Sequence, residues 1–232
     1  MLRFASSNEA SAMTYSLFFF DLDGTLVDSL PDIASALNQA LAEKGLPSLP
    51  QKTVQTLVGE GVHVLAERAL EAVASSTSSV PDAQSIATRI TEIYRARPCE
   101  KTTLYPGTLE TLTTLRSTPG RHLMVLTNKP GEVARPLLQA LEASFLFDAV
   151  IGDGDGYPKK PDPTAILTTQ KHLGIPPEST LVVGDGIPDM QVAAAAGCPA
   201  AAALWGYTPP DKLAGHTPRY LLRTFRELLT VA

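Results

Sequence analysis

The stretch that decides the fold is Leu17-Phe18-Phe19-Phe20-Asp21-Leu22-Asp23-Gly24-Thr25-Leu26. Four consecutive apolar residues read as a strand buried on both faces, the pattern of a parallel sheet rather than of a half-solvated antiparallel one. Two carboxylates at i and i+2 follow the strand at once. Alternate residues of an extended backbone point to one side, so both can aim at one ligand, and Gly24 permits the tight turn that opens the backbone to an anion. Similar apolar runs recur at His122 to Leu126, Ala149 to Ile151 and Leu181 to Val183, each followed by a polar or Gly-containing turn and then a helix-like segment such as Glu132 to Leu141. This alternation predicts an α/β fold with a parallel sheet. In such sheets ligands collect beyond the carboxyl ends of the strands, where Asp21, Thr127, Asp153 and Asp185 stand.

The alternation stops between residues 28 and 104. Pro31 to Lys44, Gly61 to Ala74 and Pro81 to Arg97 each show helical periodicity with no strand-like run between them, which predicts an inserted helical cap. Ser75 to Ser79 reads as a flexible connection within it. The expected organisation is a flexible leader at 1–15, an α/β core at 16–27 and 105–232, and the cap at 28–104. Arg223 to Leu229 reads as an amphipathic closing helix.

A second acidic pair, Asp185 and Asp189, lies in Val183-Gly184-Asp185-Gly186-Ile187-Pro188-Asp189, again at a strand end. If this loop and the first are neighbours, their carboxylates repel strongly unless a hard cation neutralises them, and oxygen donors without His or Cys favour Mg²⁺ over zinc. Asp189 also stands where it can cap the following helix. Thr127-Asn128 offers a hydroxyl and main-chain donors to an oxyanion. Lys159-Lys160-Pro161-Asp162-Pro163 brings positive charge on a restricted loop.

With 232 residues, 44% of them hydrophobic, the chain can bury a sizeable core. Nineteen Lys and Arg against 24 Asp and Glu leave a net charge of −5, which attracts neither nucleic acid nor an anionic membrane. No apolar run approaches the roughly 20 residues a membrane span needs. Two distant cysteines, Cys99 and Cys198, form no disulfide framework, and with no secretory signal in the leader the expected location is cytoplasmic.

DxDGT after a first strand, then Thr127, Lys160 with its following Pro, and GDxxxD resemble, in order, the four motifs of the haloacid dehalogenase-like hydrolase superfamily. The resemblance spans nearly the whole chain. FFFDLDGTLVDSLPDIASALNQAL, LVGEGVHVLAERAL, YPGTLETL, VLTNKPGEVARPLLQALE, KKPDP and AAAAGCP look most like bacterial phosphoglycolate phosphatases. Asp23 argues against haloacid dehalogenases and phosphonoacetaldehyde hydrolases, which lack that carboxylate.

The resemblance implies a Rossmann-like parallel sheet core with a helical cap inserted between the first and second motifs, and a Mg²⁺-dependent phosphatase acting on a small phosphorylated metabolite, with 2-phosphoglycolate the first substrate to try, as a monomer or homodimer. It implies that Asp21 is the nucleophile and is phosphorylated in turn. Asp23 is then the acid and base, and also gives its main-chain carbonyl to the metal. Asp185 is a direct ligand, Asp189 holds the metal's waters or Lys160, Thr127 and Asn128 bind phosphate, and Lys160 offsets charge. Gly186 departs from the family, which usually has a hydroxyl residue there, and puts the orientation of the metal site in question. In the cap, Gly59-Glu60-Gly61 reads as a substrate-facing loop, and His63 or Arg68 as a partner for a substrate carboxylate. The rival readings are a sugar-phosphate phosphatase, an inorganic pyrophosphatase, a phosphomutase and, from another class, a non-catalytic binding protein on the same fold.

Overall fold

The computed structural model describes residues 15–73 and 81–232. The strand at Leu17–Phe20 is β1, flanked by β4 (His122–Pro130) on one side and β6 (Thr180–Gly184) on the other. With β5 (Ala149–Asp153), β7 (Ala200–Ala203) and β8 (Tyr220–Leu222) they form a six-stranded sheet in the order β5-β4-β1-β6-β7-β8, every neighbouring pair parallel. The α/β expectation holds.

The position of β1 explains its composition. Phe18 and Phe20 enter one apolar cluster with Leu123, Val125, Leu181 and Phe225, while Leu17 and Phe19 enter another with Met124, Ile166, Val182 and Met190. Both faces are covered by helices, so none of the four side chains can be polar. The alanines of β7 are poor strand formers by propensity, and the strand exists because it is wedged between β6 and β8 and fully covered.

Among the described residues, four helices lie between the two halves of the sheet sequence: α1 (Leu30–Ala42), α2 (Gln51–Gln55), α3 (Val62–Val73) and α4 (Ala83–Ala96). They share an apolar core of their own, including Leu37, Leu41, Val54, Ala69, Ile86 and Ile90. Val133 of α6 (Gly131–Ala140) joins that core, and an Arg95–Glu132 ion pair spans the same contact. The segment is not wholly helical. Val27–Asp28 (β2) and Thr103–Leu104 (β3) pair antiparallel at its two ends, so the chain leaves and re-enters the sheet side by side. Asp32 reinforces this closure by accepting hydrogen bonds from the main-chain N–H groups of Glu100, Lys101 and Thr102 and from the Thr102 hydroxyl.

Two expectations need adjustment. Tyr15, counted with the leader, is fully buried, and its hydroxyl lies 3.0 Å from that of Tyr220, so this residue belongs to the packed core. The rest of the leader and the Ser75 to Ser79 connection lie outside the described residues. The closing segment at Phe225–Thr230 is a 3₁₀ helix, anchored by buried Phe225 and Leu228. No helix among the described residues is long and apolar enough to cross a membrane.

Candidate active site

The site lies at the carboxyl ends of β1, β4 and β6, beside the break in strand sequence around β1. Asp21 follows β1, and its N–H donates to Val183 O of β6 at 2.9 Å. Asp185 and Asp189 come from β6 and the first turn of α8 (Ile187–Ala195), and an oxygen of each lies within 4.8 Å of the others and of Asp21. Lys160 Nζ is the counter-charge, 2.6 Å from Asp189 Oδ1 and 2.8 Å from Asp21 Oδ1.

One buried ammonium therefore faces three carboxylates. Burial, opposed by Lys160 and reinforced by Asp189, pushes Asp21 up to about 6. Burial and the charges of Asp21 and Asp189 push Asp185 up to about 8, against the Tyr207 N–H and the Thr25 hydroxyl. Burial disfavours the charge on Lys160, but Asp189 and Asp21 outweigh it and raise the ammonium above the ordinary lysine value. A cluster with excess negative charge, hard oxygen donors and no neighbouring His or Cys fits a hard divalent cation.

The carboxylates are held individually. Asp185 Oδ1 accepts from the Thr25 hydroxyl at 2.7 Å and Oδ2 from the Tyr207 N–H at 2.8 Å. Asp189 Oδ2 accepts from the Gly186 N–H at 2.9 Å, so this residue caps α8 with one oxygen while binding Lys160 with the other. Gly186 brings no hydroxyl to this loop; the hydroxyl that Asp185 accepts from is that of Thr25 in the first loop. The first loop comes this close only because residue 24 is glycine. Its φ is +89°, and a Cβ there would sit 2.4 Å from Asp185 Oδ2.

Asp23 faces away from this cluster, toward the helices. Ser29 donates to its Oδ1 at 2.5 Å, and Lys129 Nζ lies 3.0 and 3.2 Å from its two oxygens. Lys129 is buried, and its ammonium stands 4.3 Å from the centre of the Tyr94 ring of α4. The register of β4 explains how a lysine reaches this point. Leu126 pairs with Ile151 but Pro130 with Asp153, so β4 carries extra residues that bulge out of the ladder at Thr127 to Lys129.

Thr127 lines the cavity beside Asp21 and Asp23, and its hydroxyl accepts from the Lys129 N–H. The Asn128 side chain is engaged differently. It accepts from the Lys160 N–H and donates to the carbonyls of Lys160 and Gly59, tying β4, the lysine loop and the helical segment together. Gly59 and Gly61 line the cavity over Asp21 and Asp23, while Glu60 and Arg68 pair with each other in a second cleft that Asp21, Asp23, Asp185 and Asp189 also line. His63 pairs with Glu67 and lines a separate cleft with Lys159 and Asp153. Asp153, a strand-end candidate, lies 3.6 Å from Lys159 and outside the carboxylate cluster.

Sequence reading missed Thr25, Ser29, Lys129 and Tyr207. Lys129 was visible as the residue following Thr127-Asn128 at a strand end. Tyr207 had no local signal, since its hydroxyl accepts from the N–H groups of Ser29 and Leu30, almost the whole chain away.

Comparison with known proteins points the same way. The chain is 37% identical to the phosphoglycolate phosphatase of Haemophilus influenzae (strain 86-028NP) over 94% of its own length and 98% of the relative's. It is 38% identical, with the same coverage, to that of Mannheimia succiniciproducens. The crystal structure of a predicted phosphoglycolate phosphatase from Haemophilus somnus superposes with a TM-score of 0.87 at 32% identity, covering 94% of this chain and 97% of that one. Residues 18–203 match the profile described as haloacid dehalogenase-like hydrolase, a span reaching from the middle of β1 to the end of β7 and so enclosing every carboxylate of the cluster together with Lys160. By this match and by its close relatives, the chain belongs to the haloacid dehalogenase-like hydrolase family.

Proposed function

We propose that this chain hydrolyses small phosphomonoesters, 2-phosphoglycolate foremost, through a phosphorylated Asp21. The observation that carries the reading is the pair of carboxylates after β1. Asp21 points into a buried cluster with one ammonium, and Asp23, two residues on, points into the neighbouring cavity.

In this reading an Asp21 oxygen attacks phosphorus and the bond to the ester oxygen breaks. Asp23 gives a proton to the leaving alkoxide. A water then attacks the aspartyl-phosphate, Asp23 removes its proton, and inorganic phosphate and free Asp21 are regenerated. Lys160 lowers the negative potential on the nucleophile and holds it in line. The Thr127 hydroxyl binds a phosphoryl oxygen, while Asn128 acts mainly as the tie between the phosphate and lysine loops. Asp21, the Asp23 main-chain carbonyl, Asp185 and Asp189 would hold Mg²⁺, whose charge offsets that of the transferring phosphoryl group. The helical segment at 28–104 is the cap, excluding water from the cavity it roofs.

The test is phosphate release from a panel of esters, with and without Mg²⁺, by the wild type and Asp21→Asn. The expected result is Mg²⁺-dependent release that falls by at least about a thousandfold in the variant, as for loss of a covalent nucleophile. Absence of Mg²⁺-dependent release from every ester overturns the assignment. Isomerised ester without free phosphate points instead to a mutase.

A further inference from the structure

We propose that Lys129 selects the leaving group, exchanging its ion pair with Asp23 for an anionic group, a carboxylate, placed two bonds beyond the ester oxygen. This rests on the phosphatase reading and names the residue that narrows its substrate class.

The geometry follows from Asp23. To protonate the departing oxygen, Asp23 must come within hydrogen-bond distance of it, about 2.6–3.2 Å. Lys129 Nζ already stands at that distance from both Asp23 oxygens. An ester oxygen docking on Asp23 therefore brings the next atoms of the leaving group against the ammonium. A carboxylate on the first carbon meets a cation there, whereas a hydroxyl or methyl at the same place leaves that cation facing no charge.

The rest of the cavity adds to the selection. Ile33, Val58, Val62, Leu65, Ile90 and Val133 form its apolar wall, and Lys129 is the only cation among the described residues lining it. Sugar hydroxyls would lose water and find few partners, a cost that a short two-carbon chain avoids. The cation is kept in place from the other side by the Tyr94 ring, and its burial prevents solvent from screening its attraction for an anion. Of the sequence candidates for this role, His63 borders a different cleft, and Arg68 lines a second cleft that also reaches Asp21 and Asp23 but is already paired there with Glu60, whereas Lys129 touches Asp23 itself.

The experiment compares kcat/KM for 2-phosphoglycolate and for ethyl phosphate, of similar length but uncharged beyond the ester, in the wild type, Lys129→Met and Lys129→Arg. The wild type should prefer the carboxylate ester by about 100-fold, the range of a hydrogen bond to a charged partner. Lys129→Met should erase most of that ratio, mainly through KM, even though both esters lose rate as Asp23 loses a neighbour. Lys129→Arg should restore part of it. A wild-type enzyme that hydrolyses both esters equally overturns the proposal without touching the phosphatase reading, and needs no folded variant. So does a Lys129→Met enzyme that loses both activities in equal proportion. A wild type inactive on all esters overturns the phosphatase reading itself.

Discussion

The floor and the roof of the cavity are built on opposite plans. On the floor, buried Asp185, Asp189 and Lys160 and half-buried Asp21 are ionisable and tied to one another or to fixed donors at 2.6 to 2.9 Å. The roof, from α1, α3 and α4 and the loop before α3, presents mostly aliphatic side chains held by an apolar core. A buried charge network works only if every member is satisfied, so the floor tolerates almost no change, whereas an apolar wall can be redrawn side chain by side chain. The charged floor and the apolar wall above it thereby fall in parts of the chain with different mutational tolerance, with Lys129 of β4 standing where the two meet.

The hardest blow to this contrast is struck at Lys160. Lys160→Met leaves Asp21 and Asp189 without the ammonium they share, and should lower turnover by about a thousandfold or more. Loss of one partner from a buried ion pair also costs about 3–5 kcal/mol, readable by urea unfolding. Gly24→Ala attacks the floor through its backbone. The new methyl meets the Asp185 carboxylate and the positive φ is strained, so activity at limiting Mg²⁺ should fall about tenfold or more while the apolar core stays intact. Undiminished activity would show that the two loops move apart freely.

Asp32 tests the seam between floor and roof. Burial alone would raise its pKa, but the Thr102 hydroxyl and the N–H groups of Lys101, Glu100 and Thr102 together hold it below the ordinary carboxylate value. A depressed pKa stabilises the fold at pH values above that of the unfolded chain, and the gain is lost as pH falls through the folded value. Asp32→Asn should therefore cost about 1–3 kcal/mol at pH 7, and the gap from wild type should close on acidification below pH 4. A gap constant between pH 7 and pH 3 would contradict the charge-based account. The smallest effect belongs to the roof. Val62→Thr places a hydroxyl in the apolar wall at a cost of about 1–2 kcal/mol, and should shift the ratio of sugar-phosphate to small-ester hydrolysis by a few-fold, measured as kcat/KM.

The same division governs what could be read from the sequence. Asp21, Asp23 and Asp185 were legible because each closely follows an apolar strand, and the strand dictates where its end points, whereas Lys160 and Asp189 gained their roles from the order of the four motifs. Lys129 was passed over because a lysine at a loop start reads as solvated. Only the bulge in β4, set by pairing with β5, turns it inward. Thr25 and Tyr207 act through contacts with Asp185 from residues far along the chain, which no local pattern encodes. The two-residue strands at the ends of the helical segment were invisible for a related reason. Neither is long enough to show a period, and each exists only because the other is there. The closing segment has helical periodicity but tightens into a 3₁₀ helix, where buried Phe225 and Leu228 dock against the core.

That short ladder has a consequence for how the chain could have been assembled. Val27–Asp28 and Thr103–Leu104 bring the entry and exit of the helical segment to adjacent positions, and Asp32 fastens the exit again. To the sheet, everything between those points has the end-to-end span of a hairpin turn. Loop-closure entropy rises only slowly with length once the ends are joined, so the segment can grow, shrink or be exchanged without disturbing the register of β1, β4 and β6. The ladder is in effect a splice junction, through which one catalytic floor can be given a different roof.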